Sequence, residues 1–254
     1  PVLVSDEAGL VLNRVSLTRS GVPCLREVAL TVPRGSILGV AGVEGNGQRE
    51  LAEAVVGLRR VQSGTIRCGD TTLNRKTVRE RRELGLAYIS EDRHQDGLLM
   101  DAGILDNMLL KYCDRGPYRR AGFVDFSGVR RLALEKKAEY QIKADNLALP
   151  VRYLSGGNQQ KIILSRELSD SPRLIVAAQP TRGLDVGASE FVRERLMIER
   201  GNGAAILLIS ADLEEILALS DMIAVMYDGR IMGLFENSGR PDLTAIGLMM
   251  AGKK

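Results

Sequence analysis

SILGVAGVEGNGQRE, Ser36 to Glu50, joins an apolar run to a glycine-rich turn and then to an amphipathic segment. Beyond it Leu51, Ala54, Val55 and Leu58 recur at i, i+3, i+4 and i+7, one face of a helix. Strand, G-x-x-x-x-G turn and helix make a loop whose backbone N–H groups curl around a phosphate, with positive potential from the helix N-terminus. Gly42, Gly45 and Gly47 fit that plan. The pattern then requires a lysine for the β/γ phosphates and a hydroxyl for Mg²⁺. Gln48 and Arg49 stand there instead. Alone, the stretch reads equally as a phosphate loop or as a tight structural turn.

The same alternation runs down the chain. LGLAYIS (Leu84 to Ser90), RLIVAAQ (Arg173 to Gln179), AAILLIS (Ala204 to Ser210) and MIAVMYDG (Met222 to Gly229) are near-continuous apolar runs like SILGVAG. Such runs suit strands covered on both faces, as in a parallel sheet. DLEEILALS repeats the helical spacing with Leu213, Ile216 and Leu217. Strands alternating with helices predict an α/β core.

Two regions depart from this rhythm. Up to about Arg34, VLNRVSL and LREVALTV alternate with period two and predict antiparallel strands beside the core. From about Leu98 to Tyr153 there are helical runs and no strand run, which predicts an inserted helical lobe. The expected organisation is one domain over 1–254, with 1–97 and 154–254 as α/β core plus β region and 98–153 as helical subdomain.

Composition narrows the function. The chain of 254 residues is 44% hydrophobic and 26% charged, with a net charge of +3, as in an ordinary globular protein. Neither that charge nor any Lys/Arg run interleaved with aromatics indicates nucleic-acid binding, so no nucleic-acid partner is expected. Cys24, Cys68 and Cys113 form no CxxC pair and read as reduced packing residues of a cytosolic protein. His94 is the only histidine, so a metal site built on it is not expected and its role is solvated or structural. No apolar run approaches the roughly 20 residues of a membrane helix, and the N-terminus carries no signal pattern. The chain starts at Pro1 without an initiator methionine, as a piece of a longer protein would.

A second motif settles the class. LSGGNQQK, Leu154 to Lys161, precedes a helical pattern and then the strand RLIVAAQ. A Ser-Gly-Gly turn at a helix start lets the backbone approach an anion, with the hydroxyl and N–H groups pointing outward. An isolated SGG is usually an N-capped helix and nothing more, but here a glycine loop lies upstream and an apolar strand directly after.

These residues resemble the nucleotide-binding domain of ABC-transporter ATPases. LSGGNQQK resembles that family's signature motif, RLIVAAQPTRGLDVG its Walker B strand and D-loop, and LLISADLEEILALSDMIAVMYDGRIMG its switch strand and the segment after it. NGQ in the loop, YISEDRHQDGLL and AAQPTRGLDVGA resemble, more narrowly, the second, C-terminal ATPase domain of tandem proteins that energise import of simple sugars and nucleosides. The resemblance covers about Val11 to Gly233. It implies a P-loop NTPase-type α/β fold with a mostly parallel sheet, an N-terminal antiparallel β region and an inserted helical lobe.

The departures from the family pattern carry the expected mechanism. The Walker B Asp-Glu positions are Ala178 and Gln179, the switch histidine is Ala211, and the Q-loop glutamine is Glu91. Arg19 to Gly21 offers no ring for adenine. Losing the lysine charge about 4 Å from a phosphate forfeits up to a few kcal/mol at an effective dielectric near 20. Losing a general base typically costs about 10²–10⁴ in rate. The chain's own site is therefore expected to be catalytically dead and to hold no metal, with at most weak ATP binding through Gly42, Gly45, Asn46, Gly47, Gln48 and Arg49.

The signature is intact at Ser155, Gly156, Gly157, Asn158 and Gln159, and Asp185 holds the D-loop position. As the resemblance implies, ABC domains pair head to tail, so this signature completes the ATP and Mg²⁺ site of a competent partner. Implied partners are the N-terminal ATPase domain of the same protein, transmembrane permease subunits and, indirectly, a solute-binding protein. The implied location is cytoplasmic, peripheral on the inner face of the cell membrane. The NGQ loop and EDRH segment incline the solute towards nucleosides over sugars. Two rival readings are a soluble ABC-type ATPase acting on nucleic acid or ribosomes, and a nucleotide-free scaffold that docks the membrane subunit.

Overall fold

The structure, a computed structural model, describes residues 7–113, 116–120, 123–237 and 241–253. Along the chain the elements run β1 (Ala8–Arg19), β2 (Val22–Pro33), β3 (Ile37–Ala41), α1 (Gln48–Val56), β4 (Ser63–Cys68), β5 (Thr71–Thr72) and α2 (Val78–Glu83). They continue as β6 (Leu86–Ile89), α3 (Ile104–Tyr112), β7 (Arg119–Arg120), β8 (Phe123–Val124), α4 (Phe126–Glu139) and α5 (Gly156–Glu167). The remainder is β9 (Leu174–Ala178), α6 (Val186–Gly201), β10 (Ala205–Ser210), α7 (Leu213–Leu219), β11 (Met222–Tyr227), β12 (Arg230–Glu236) and α8 (Leu243–Met250).

The chain divides into two compact units. The first comprises Pro1–Tyr88, Ser171–Pro180 and Glu194–Lys254; the second comprises Ile89–Asp170 and Thr181–Arg193.

In the first unit all five apolar runs become strands of one sheet, in the order β12-β11-β3-β10-β9-β6. β3 pairs in parallel with β10 and β11, and β10 in parallel with β9, while β12 lies antiparallel on β11 at the edge. Every residue of β3, β9 and β10 is buried, which is the physical reason these runs carry no polar alternation. β2, β1, β4 and β5 form a separate antiparallel sheet; the period-two segments predicted β1 and β2, while β4 and β5 were not expected. The expected α/β fold class is the one found.

α1 packs between these two sheets. Its Leu51, Ala52, Ala54, Val55 and Val56 join one buried cluster with Leu25 of β2 and Val176 of β9. The helix stops sooner than its apolar spacing predicted, because Gly57 takes a left-handed φ of 92° and closes it through a hydrogen bond to the Glu53 carbonyl. Leu58, read as the fourth residue of the apolar face, lies beyond that stop and is exposed.

The same C-terminal end of α1 is held by a buried cation. Arg81 of α2 donates from Nη1 to the Ala54 and Val55 carbonyls at 2.7 Å each, from Nη2 to Leu73 O at 2.7 Å and from Nε to Lys76 O at 3.1 Å. Its guanidinium thus meets the negative end of the α1 dipole with carbonyls as partners, and burial lowers its pKa.

The second unit is built from α3, α4 and α5 packed on one another. Ile104, Met108 and Tyr112 of α3, Val129 and Ala133 of α4, and Ile162 and Ile163 of α5 are buried there. The lobe expected at 98–153 lies inside this unit, which also takes in 89–97, 154–170 and 181–193. It carries the short β7–β8 hairpin where no strand was expected. All three thiols are free; Cys24 and Cys68 are half-buried and pack against the core, as expected, whereas Cys113 is exposed and corrects that expectation. Among the described residues no helix is long and apolar enough to cross a membrane.

Candidate functional site

The candidate residues fall into two groups. Gly42, Gly45, Asn46, Gly47, Gln48, Arg49, Ala178, Gln179 and Ala211 lie in the first unit; Glu91, Ser155 to Gln159 and Asp185 lie in the second.

β3 delivers the chain to Gly42 and α1 leaves from Gly47. Gly47 has φ 104°, and a Cβ there would lie 2.5 Å from the Cys24 carbonyl, so both backbone and space require glycine. Asn46 ties the loop down: its Oδ1 accepts from Asp228 N and its Nδ2 donates to Val43 O, each at 2.9 Å. Gln48 is buried, and its Nε2 donates to Val43 O at 2.9 Å while its Oε1 accepts from Asn46 N at 3.1 Å. The Gln48 amide therefore bridges the loop and takes up a backbone N–H of the kind such loops offer to phosphate. Arg49 runs along the helix, where its Nε donates to Glu53 Oε1 at 3.0 Å.

Glu53 also pairs with Arg59. Burial raises the Glu53 carboxyl, but hydrogen bonds and charge from Arg59 and Arg49 outweigh it and hold the pKa below the usual 4.5. A lowered carboxylate stabilises the fold above its unfolded pKa and loses that effect as pH falls through the folded value. Glu53→Gln should therefore lower the Tm at pH 7 by a few degrees and lower it less at pH 3.5. Calorimetry at the two pH values checks this; an equal loss at both would show that charge at Glu53 is not the cause.

At the end of β9, Ala178 is buried and Gln179 turns the chain with a left-handed φ of 47°, an uncommon conformation for a residue with a side chain. Gln179 N donates to Ile209 O at 2.7 Å, and its Oε1 accepts from Ala211 N at 3.2 Å. Three sequence-predicted positions thus come together at the ends of β9 and β10. They bring an amide and two methyl groups, none of which takes up a proton near neutral pH.

In the second unit Ser155 is the N-cap of α5. Its Oγ accepts from Asn158 N at 3.4 Å and from Asn158 Nδ2 at 2.9 Å, while Asn158 Oδ1 accepts from Lys143 N at 2.8 Å. With Asn158 on its lone pairs, the exposed Ser155 hydroxyl keeps its proton to donate outward. Gly157 sits against α6, for a Cβ on it would lie 2.9 Å from Ala188 Cβ. Asp185 caps α6, accepting from Ala188 N at 2.8 Å. Lys161 lies 4.5 Å from the centre of the Phe191 ring. Burial lowers its pKa, Lys143 adds to the effect and Asp185 opposes it.

The sequence points to no role for Arg93 or Arg182, and for His94 to a solvated or structural one. Arg182 Nη1 pairs with Glu91 Oε1 at 2.7 Å, and Arg93 Nη1 donates to the Arg182 carbonyl at 2.6 Å. His94 Nε2 lies 3.2 Å from Gln159 Oε1. Gln159 Nε2 donates to the Val151 and Leu154 carbonyls at 3.1 and 3.2 Å, so its oxygen is the acceptor and His94 carries the proton on Nε2. The histidine is structural, as one of its two expected roles had it.

Known proteins resemble this chain in sequence and in fold. The guanosine import ATP-binding protein NupO of Bacillus subtilis is 44% identical over 91% of this chain and 45% of its own length. The nucleoside import ATP-binding protein NupA of Lactococcus lactis is 38% identical over 90% of the chain and 45% of its length. The ribose import ATP-binding protein RbsA of Geobacillus kaustophilus is 35% identical over 94% and 47%. The chain thus spans about half the length of the curated relatives it matches. Among solved structures, a nucleotide-free ATP-binding cassette from an ABC transporter superposes with a TM-score of 0.77 over 94% of each chain, at 18% identity. A dimeric cassette in a post-hydrolysis state with ADP and Pi gives 0.75 at 20% identity, over 91% of this chain and all of that one. At such identities the likeness speaks for the fold. The model of the ABC transporter family matches residues 25–182, more than half of the sequence, and the chain belongs to that family.

Proposed function

We propose that this chain is an ATP-binding cassette of an importer for nucleosides or simple sugars, with an inert phosphate loop of its own and a signature face that completes a partner cassette's ATPase site. The observation that carries the reading is Ser155: a hydroxyl at the start of a twelve-residue helix, its lone pairs taken by Asn158, leaving a donor for an anion outside the chain. Gly156 and Gly157 leave the N–H groups beside it open to close approach.

The chain's own loop supports the other half of the proposal. Mg²⁺ prefers carboxylate and hydroxyl oxygens, whereas the positions that should supply them hold Gln48, Arg49, Ala178 and Gln179. The donor set does not suit the ion, and no step is assigned to a metal at this face. Gln179 offers no base, and its amide oxygen is already bonded to Ala211 N.

We read both units as parts of one cassette, peripheral on the cytoplasmic face of the membrane. It pairs with an N-terminal ATPase domain of the same protein and docks on permease subunits served by a solute-binding protein. Curated relatives about twice as long leave room for that other domain. Nucleosides stand before sugars because the relative named for guanosine import shares 44% identity, above the 35–39% of the relatives named for ribose and glucose import.

The isolated chain should show no ATP turnover above background, and any ATP affinity should depend little on Mg²⁺. Calorimetry with ATP in EDTA and then with Mg²⁺ tests this. A gain of about tenfold on adding Mg²⁺, about 1.4 kcal/mol, would contradict it, as would phosphate release that changes with a mutation in Gly45–Arg49.

A further inference from the structure

The segment Glu91 to Gly97 has no part in the function proposed above, yet its side chains reach both the signature segment and the turn ahead of Asp185. Asp92 caps a single wide turn over Arg93–Gly97, accepting from His94 N at 2.9 Å and Gln95 N at 3.0 Å. From that turn His94 holds Gln159, whose amide in turn fixes the Val151 and Leu154 carbonyls just ahead of Ser155. Gly97 presses on α5, since a Cβ on it would lie 2.8 Å from Ile163 Cδ1.

The other hand of the segment grips Arg182. Glu91 takes its guanidinium at 2.7 Å and Arg93 its carbonyl at 2.6 Å, so side chain and backbone are fixed together. Arg182 stands three residues before Asp185, the cap of α6, and Asp185 Oδ2 lies 3.7 Å from where a Cβ on Gly157 would be. Nη2 of Arg93 is 3.6 Å from the corresponding points on Gly156 and Gly183. Three sequence-distant segments, 91–97, 155–159 and 182–185, are thereby joined through polar contacts whose geometry is fixed at both ends.

We propose that Glu91 and Arg182 are positioning residues: their ion pair sets the Arg182–Asp185 turn against the signature, and so aligns the face presented to the partner cassette's nucleotide. This rests on the reading of that face given above. Glu91, at a position where the family pattern has a neutral glutamine, is then a gain of function within the second unit as well as a loss at a nucleotide site. The pair is partly exposed, with side chains 27% and 52% accessible, so it adds little to stability and its effect can be separated from folding.

The test uses the full-length ATPase assembled with its permease. Glu91→Ala, Arg182→Ala, the double variant, Arg182→Lys and Ser155→Arg are assayed for ATPase against ATP concentration, with thermal melts alongside. Each single alanine should lower kcat about tenfold with KM within about threefold, since misplacement acts on the reacting geometry more than on binding. The double variant should fall no further than the singles, because they share one contact, and Arg182→Lys should recover most of the loss. Melts should stay at the parent's value. If the alanine variants keep parent kcat while Ser155→Arg is inactive, the positioning role is overturned and the signature reading stands. If the two losses multiply, or Lys recovers nothing, the pair is not the agent and the inference fails. If Ser155→Arg is also fully active, the signature reading fails and takes this inference with it.

Discussion

Ser155→Arg should lower ATPase and uptake by the assembled transporter by about two orders of magnitude, because it removes a donor and fills the anion's space in a site of electrostatic stabilisation. Gln48→Ala in the same assembly should keep most of the activity. Gly157 is the wrong glycine for this test, since any side chain there meets Ala188 within the chain before it meets a ligand. Gly156 is the right one: its Cβ position has ordinary contacts of 3.6–3.8 Å, so Gly156→Ala should fold normally and report only on access to the backbone. Parallel assays of reconstituted variants decide the matter. Full activity in Ser155→Arg with loss in Gln48→Ala would reverse the assignment of the two faces.

Arg81→Met should be the most damaging single change to the first unit. Four carbonyls would lose their donor inside the protein, two of them at the end of α1. Leaving buried acceptors unmatched costs about 1–3 kcal/mol each in the worst case, so a net loss of about 3 kcal/mol is expected. That corresponds to a Tm lower by roughly 10 °C for a chain of this size. Arg81→Lys should restore part of it, because one ammonium reaches fewer carbonyls than a guanidinium fork. A melt within about 2 °C of the parent would mean that these carbonyls find other donors.

How much of this was written in the sequence depends on how local each cause is. β3, β9 and β10 were legible because burial on both faces leaves only apolar residues. β12 was not read as a strand, for its edge position leaves it half-exposed and interrupted by Gly233. The glycine loop announced its backbone, since Gly47 meets both a positive φ and a crowding carbonyl. It did not announce that Gln48 folds back onto Val43 and Asn46, because a side chain's choice between loop and solvent leaves no mark on spacing. Glu91 could be seen as a departure from the family pattern, but its partner Arg182 lies 91 residues away and only the fold brings them together.

The central claim is that one face of this cassette is live and the other inert. Trapping Mg·ADP with vanadate in the assembled transporter during turnover, then counting nucleotide per pair of cassettes, addresses it directly. The expected result is one trapped nucleotide per pair, photo-crosslinked to the partner's phosphate loop and to this chain only through the region of Ser155. Two trapped nucleotides per pair, with one crosslinked to the Gly42–Arg49 loop of this chain, would contradict it.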